Sequence, residues 1–144
     1  MKKTPYHPLP LTTHPGLKPP PSPSSAEVTG GKTWCAISMV FTNIYNPRAE
    51  IGKMDQLRPT LVKKGATIGA NATIVCGTTL GRYCFVGAGA LVNKNIPDHA
   101  LVVGNPAKQI GWACECGERL TEDLECLACE KQYKKSSNGL VWSF

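Results

Sequence analysis

The sequence has no long apolar run, and this absence restricts where the protein can reside. No segment of its 144 residues approaches the roughly 18 consecutive apolar residues that a membrane-spanning helix needs. Met1, Lys2 and Lys3 resemble the start of a signal peptide, but no apolar segment of sufficient length follows them. We therefore expect a cytoplasmic protein with no membrane-inserted part.

Histidine is also scarce, which limits the available general bases. His7 and His14 lie in the Pro-rich N-terminal part, so only His99, in the sequence Ile-Pro-Asp-His-Ala, belongs to the rest of the chain. Many acyl-transfer sites use a histidine as the base. We interpret His99 mainly as a solvated turn residue, with a catalytic role as the alternative.

Positive charge is present, but clusters of basic residues are not. The net charge is +6, and residues 37–110 carry eight basic and three acidic residues, giving +5. Lys63–Lys64 is the only basic pair in that segment, and no aromatic residues are interleaved with it as stacking platforms. Nucleic acid is therefore not expected as a partner. The excess of positive charge in residues 37–110 suits a phosphate-rich cofactor. Alternatively, it contributes only to solubility.

Proline is concentrated at one end of the chain. Eight of the 12 Pro residues precede Ser24, in a stretch without an apolar period. Such a segment cannot bury enough surface to offset its ordering entropy. We predict that residues 1–36 form a disordered Pro-rich leader.

An aliphatic residue recurs at every sixth position in the middle of the chain. These residues are Val62, Ile68, Ile74, Leu80, Val86 and Val92. Small residues stand two places before most of them. A period of six is typical of a parallel β-helix made of hexapeptides and does not match the period of a helix. With three hexapeptides per coil, the residues from Val62 to Pro97 predict two complete coils with the aliphatic side chains inside.

The six-residue period also divides the chain. Residues 37–110 are expected to form the β-helix domain, and the polar stretch from Asn43 to Pro59 a loop that leaves the coil, a place where function is common. Residues 111–144 are expected to be a short Cys-rich extension with a final strand near 140–142.

Three stretches carry a resemblance to a known family: 39–48, 58–77 and 104–112. They resemble the left-handed β-helix N-acetyltransferases of nucleotide-linked 3-amino sugars. Within these, the chain is most similar to enzymes that act on a UDP-linked 2-acetamido-3-amino-glucuronate for O-antigen (lipopolysaccharide) synthesis. The resemblance implies an all-β fold, acetyl-CoA as co-substrate and a homotrimer. Several coils precede the equivalent of Met39 in that family, so we expect an N-terminally truncated or disrupted chain.

The resemblance also implies a set of substrate residues. In this family an Asn holds the sugar amine and no protein base is needed, and that residue corresponds to Asn43. Tyr45, Asn46 and Arg48 follow it and are candidates for substrate binding. Alternatively, Asn43 is an internal Asn or loop cap, and Arg48 forms a surface ion pair with Glu50.

Acetyl-CoA in this fold lies between coils of adjacent subunits, where small residues let backbone N–H groups approach it. Gly87 and Ala88 open such a stretch, and Lys94 and Lys108 are candidates for contact with its phosphates. Packing against a neighbouring coil is the alternative reason for the small residues.

Four of the seven Cys residues are grouped as Cys114-Glu-Cys116-Gly and Cys126-Leu-Ala-Cys129. This order resembles a zinc ribbon, with Gly117 making the turn behind the first pair. Four thiolates close a zinc site, so we expect a structural rather than a catalytic metal.

Two rival hypotheses stay open from the sequence. One is a catalytically incomplete β-helix remnant, and the other is a zinc-ribbon binding module on a β-helix scaffold. A hexapeptide carbonic anhydrase is excluded because three histidine ligands for zinc are not available.

Overall fold

The computed structural model describes residues 31–144 and, for residues 26–29, the backbone of one strand. These residues form 13 β-strands and one 3-10 helix, Met54–Gln56. In the part of the chain that is described, no helix is long and apolar enough to cross a membrane.

Nine short strands wind into three coils. The first coil contains β1 (Ala26–Thr29), β2 (Trp34–Cys35) and β3 (Val40–Phe41). The second contains β4 (Thr60–Lys63), β5 (Thr67–Ile68) and β6 (Thr73–Ile74). The third contains β7 (Thr79–Leu80), β8 (Phe85–Val86) and β9 (Leu91–Val92). Strands in the same place of successive coils pair in parallel, so the coils have three flat faces: β1-β4-β7, β2-β5-β8 and β3-β6-β9.

The register of these faces confirms the parallel β-helix. Between the second and third coils every inward residue pairs with the residue 18 positions later. The pairs are Val62 with Leu80, Ile68 with Val86, and Ile74 with Val92. The six residues of the period are 0–1% exposed. Four of the small residues that precede them (Ala66, Ala72, Cys84 and Ala90) are equally buried.

The first coil differs from the prediction, which placed β1 and β2 in the leader of residues 1–36 and began the β-helix at residue 37. Strands β1 and β2 belong to the coil, so the structure contains three coils where the six-residue period predicted two. The register stacks Val28 on Val62 and Cys35 on Ile68. Val28 and Cys35 are seven positions apart instead of six, and a loop separates the first coil from the second. The six-residue period is therefore not visible in the sequence of the first coil. The remaining leader residues, 1–25 and 30, lie outside the described residues.

The C-terminal part closes the end of the coil. Strand β10 (Ala100–Val103) continues the second face by pairing in parallel with β8, and β11 (Lys108–Trp112) pairs antiparallel with β10. The hairpin of β12 (Gln132–Ser136) and β13 (Gly139–Ser143) follows after the Cys-rich segment. Strand β13 confirms the final strand predicted near residues 140–142.

Two apolar clusters underlie this organisation. The larger one fills the coils, and the smaller one joins Cys114, Leu120, Cys126, Tyr133 and Leu140. Trp112 packs against both clusters. The Cys-rich extension thus has a core of its own and contacts the coil through Trp112.

Candidate active site and cysteine cluster

The loop between β3 and β4 carries the substrate residues predicted by resemblance. An antiparallel bridge between Ile44 and Leu57 closes its base, and Arg58 N donates a hydrogen bond of 3.0 Å to Asn43 O. These contacts make the stretch a folded excursion that starts and ends at the wall of the coil.

Asn43 lies at the base of this loop, two residues after the end of β3, and is half-buried. Tyr45 and Asn46 are exposed. The guanidinium carbon of Arg58 lies 4.9 Å from the centre of the Tyr45 ring, and Lys53 Nζ donates a hydrogen bond of 2.9 Å to Asn46 O. Two cationic side chains therefore hold the loop, and no pattern in the sequence singled out either of them.

Arg48 is exposed near the tip of the loop, where its backbone forms an isolated bridge with Ile51. Within residues 31–144 the one ion pair joins Lys131 to Glu115, so Arg48 is not paired with Glu50 as the alternative interpretation proposed. Its guanidinium is available for an anionic ligand.

The stretch from Gly87 to Ala90 forms the turn between β8 and β9. A Cβ atom at Gly87 would lie 2.7 Å from Val103 Cγ1, so packing against β10 alone requires a glycine there. Gly89 has a φ of +71° and open space around it. Ala88 is exposed between them, and its backbone lies close to Gly69, where a Cβ atom would be 2.5 Å from Ala88 N.

The two lysines predicted to meet CoA are both exposed. Lys94 lies on the turn after β9, and Lys108 is the first residue of β11, paired with Val103. Both therefore belong to the third coil and its cap. Asn43 belongs to the first coil, and strands in a sheet are about 4.8 Å apart. The two candidate regions thus differ by about 10 Å along the coil axis, two strand spacings.

The four grouped cysteines come together in space. Their Sγ atoms all lie within 4.8 Å of one another, with 3.4 Å between Cys114 and Cys129 and 3.5 Å between Cys116 and Cys126. A tetrahedral zinc with Zn–S bonds of about 2.3 Å separates its sulfurs by about 3.8 Å. The thiols therefore fit a four-coordinate metal. Gly117 makes the predicted turn, with a φ of +98° and its N–H bonded to Cys114 O at 3.0 Å.

Polar groups around the cluster favour the thiolate form of one ligand. The backbone N–H of Cys129, helped by that of Ala128, lowers the pKa of Cys126 to about 7. Tyr133 OH lies 3.1 Å from Cys114 Sγ and accepts a hydrogen bond from Glu115 N at 3.2 Å. Tyr133 was not among the site residues predicted from the sequence. A single aromatic residue between the polar Gln132 and Lys134 is typical of one buried position in a strand, and this pattern could have identified it.

His99 is buried, which corrects its interpretation as a solvated turn residue. It is 5% exposed and has a φ of +63°. Its Nδ1 lies 2.9 Å from Ala113 O, to which it donates a hydrogen bond in the tautomer that carries a proton on Nδ1. The imidazole is placed between the rings of Tyr83 and Tyr133, with centroids 5.3 and 4.9 Å away. His99 therefore joins the coil to the Cys-rich extension.

The chain is similar to known acetyltransferases over its coil. Residues 59–94 match the model of the family "Bacterial transferase hexapeptide (six repeats)". Over 84 residues the chain is 46% identical to dTDP-3-amino-3,6-dideoxy-alpha-D-galactopyranose 3-N-acetyltransferase of Aneurinibacillus thermoaerophilus, covering 57% of this chain and 43% of that enzyme. It is 40% identical over 70 residues to serine acetyltransferase 4 of Arabidopsis thaliana, covering 49% and 20% of the two chains.

A solved structure shows the same fold. A galactoside acetyltransferase in complex with coenzyme A aligns with a TM-score of 0.53 and 22% identity, over 60% of this chain and 44% of that one. The chain spans less than half the length of each of these relatives. The six-residue period, the 18-residue register and the match to residues 59–94 agree, and over this coil the chain is similar to the bacterial hexapeptide-repeat transferases.

Proposed function

We propose that this chain forms part of an N-acetyltransferase that moves the acetyl group of acetyl-CoA to the amine of a nucleotide-linked 3-amino sugar. The observation that carries the proposal is the 46% identity to a dTDP-3-amino-sugar 3-N-acetyltransferase. The wider role, synthesis of an O-antigen precursor, rests on the resemblance of residues 39–48 and 104–112 described above.

The acceptor amine is held by the loop after β3. Asn43 accepts a hydrogen bond from the amine through its amide oxygen and directs the nitrogen lone pair at the thioester carbon. An amide does not ionise, so the amine must arrive neutral, and the rate gain comes from positioning. Arg48 binds the carboxylate or diphosphate of the sugar nucleotide with its planar fork of donors. Tyr45 and Asn46 line the same loop.

The acetyl donor lies against the third coil and its cap. In this proposal the exposed residue Ala88, beside Gly87, lies next to the pantetheine and thioester, and the exposed residues Lys94 and Lys108 bind the CoA phosphates. In the resembled family acetyl-CoA lies between coils of adjacent subunits, so we propose that two subunits of a homotrimer of left-handed β-helices complete one site.

The cysteine cluster has a structural role in this proposal. Zinc bound by Cys114, Cys116, Cys126 and Cys129 ties the two halves of the Cys-rich extension together, and the Tyr133 and Leu140 side chains pack beneath it. Four thiolates leave no open position on the metal, so the zinc takes no part in acetyl transfer.

The test is acetyl transfer by the purified chain. With acetyl-CoA and dTDP- or UDP-linked 3-amino sugars, we expect release of free CoA, measured with a thiol reagent after the protein is removed by filtration. The matching sugar nucleotides with a 3-hydroxyl group are the control and should give no release. No transfer to any 3-amino sugar would reject the proposal and favour the incomplete β-helix remnant.

A further inference from the structure

A groove outside the proposed active site lies between the coil and the C-terminal hairpin. Its volume is about 610 Å³, and its walls come from β4, β7 and residues 95–98 on one side and from the β12–β13 turn on the other. Sites for small organic ligands usually have about 300–1,000 Å³. The groove is thus large enough for a molecule with several functional groups.

The hairpin is fixed against the coil, so this groove has a defined shape. Asp98 N donates a hydrogen bond of 2.8 Å to Asn138 O, and Leu140 N donates one of 3.2 Å to Asp98 O. Gly139 lies between these contacts with a φ of +133°, and any Cβ atom there would overlap the backbone of Asp98. The close approach requires glycine at this position.

Two cationic side chains face the groove from opposite walls. Lys63 lies on β4 of the coil and Lys135 on β12 of the hairpin. Neither forms an ion pair among residues 31–144. The carboxylate of Asp98 also lines the groove, but its Oδ1 accepts a hydrogen bond of 2.7 Å from Arg82 N. The groove lining therefore carries two lysine charges and one carboxylate, and that carboxylate already accepts a backbone hydrogen bond.

Neutral donors and an aromatic wall complete the lining. Asn95 Oδ1 accepts a hydrogen bond of 2.8 Å from Thr79 N, which leaves its NH₂ group as a donor. Ser136 and Ser137 add hydroxyl groups from the hairpin, and Trp112 adds a half-buried indole. Lysine and amide donors with hydroxyls suit phosphate oxygens, and the indole offers an apolar surface to the rest of a ligand.

We propose that this groove binds the diphosphate group of a small organic molecule, with Lys63 and Lys135 on its two sides. Two cations on facing walls match an anion that carries more than one charge. A nucleoside diphosphate and CoA both contain this group. The site needs no acetyl transfer, so its test is independent of the proposed enzymatic activity.

Binding of inorganic pyrophosphate to the full chain, measured by calorimetry at low salt, tests the site. Lys63→Gln and Lys135→Gln should each weaken binding by about 10-fold, because each removes a charge-assisted hydrogen bond. Lys64→Gln and Lys134→Gln are matched controls, because both residues are exposed neighbours outside the groove lining. Lys64 lies in the turn after β4, and Lys134 precedes Lys135 in β12 and faces the opposite side of that strand. The controls should change the affinity by less than about twofold.

The source of the diphosphate follows from competition. UDP, dTDP and CoA are each titrated against bound pyrophosphate, and the natural ligand class is the one that displaces it at the lowest concentration from the unmodified chain and loses affinity in both groove variants. The proposal is overturned if the unmodified chain does not bind pyrophosphate. It is equally overturned if the Lys64 and Lys134 variants lose as much affinity as the groove variants.

Discussion

At the scale of single residues, the side chains inside the coil are closely packed because each meets its equivalents above and below. Ile68, Ile74 and Leu80 are completely buried. Burial also raises the pKa of Cys84 to about 12, so this thiol stays protonated and acts as a small apolar residue. Residues of the period therefore contribute packing rather than chemistry.

Ile74→Ala should lower the free energy of unfolding by about 2–5 kcal/mol, because it removes buried methyl groups and leaves a cavity that a β-helix cannot collapse. Urea unfolding followed by circular dichroism measures the loss. Thr73→Ala, at the adjacent outward position of the same strand, is the control and should cost about 1 kcal/mol or less. Equal losses in both variants would contradict the inward placement of Ile74.

Asn43→Ala should lower kcat/KM for acetyl transfer by about 100-fold or more, because positioning of the amine is its proposed contribution. Binding of CoA should be unchanged, since the proposed CoA residues lie on the third coil. Steady-state kinetics and calorimetry measure the two effects.

Gln56→Ala is the matched control for Asn43→Ala, because Gln56 is an exposed amide in the same loop. Its kcat/KM should stay within about twofold of the unmodified protein. Full activity of Asn43→Ala would contradict the mechanism, and a His99→Gln variant that folds but is inactive would point to His99 as the base.

At the scale of elements, the Cys-rich extension is too small to be stable through its apolar contacts alone. Its buried cluster contains only Cys114, Leu120, Cys126, Tyr133 and Leu140. Small domains with such limited cores usually need a metal, a disulfide or a partner. The four grouped Sγ atoms lie within 4.8 Å of one another, which supports the proposed metal as that stabiliser.

Protein purified under reducing conditions should contain about one zinc per chain, and Cys126→Ser should remove most of it because one thiolate ligand is lost. Elemental analysis by mass spectrometry measures the content. Cys35→Ser is the matched control, since Cys35 is an exposed thiol on the first coil, and it should retain the metal. Metal-free unmodified protein would reject the zinc site.

A second variant tests the contact between Tyr133 and Cys114. Tyr133→Phe keeps the ring against His99 but removes the hydroxyl that lies 3.1 Å from Cys114 Sγ. Loss of such an outer contact typically lowers metal affinity by about 10-fold or more. Chelator competition measures this, and an unchanged affinity would show that the hydroxyl does not support the site.

At the scale of the whole molecule, the first coil leaves a large apolar surface exposed. Trp34, Ile37 and Val40 are 66%, 76% and 51% exposed. Several exposed large apolar side chains on one coil are typical of a contact surface. Together with the distribution of the proposed donor and acceptor residues over different coils, this surface supports the proposed homotrimer.

Sedimentation equilibrium at micromolar concentration should give about three times the chain mass of 15.5 kDa. Ile37→Lys should shift the protein towards monomer, because it puts a charge into the apolar contact. Leu127→Lys is the control: this residue is 79% exposed on the Cys-rich extension and should leave the mass unchanged. A folded monomer for the unmodified chain would contradict the trimer.

The sequence by itself determined the coils from Val62 to Val92 and the grouping of the four cysteines. A repeat of six residues with one buried aliphatic residue is a local pattern, so the sequence of each hexapeptide is enough to predict its strand and turn. Cysteine pairs separated by one or two residues are likewise local. The fold of residues 59–94 and the grouping of the four cysteines were thus predictable without long-range information.

Only the tertiary structure decided how the remaining parts meet. Strands β1 and β2 join the coil through backbone pairing with strands about 33 residues away. The burial of His99 and the groove between Lys63 and Lys135 depend on where the C-terminal hairpin docks. No periodic pattern predicts such contacts, because they join residues that are distant in sequence. The burial of these residues depends on which other element packs against them.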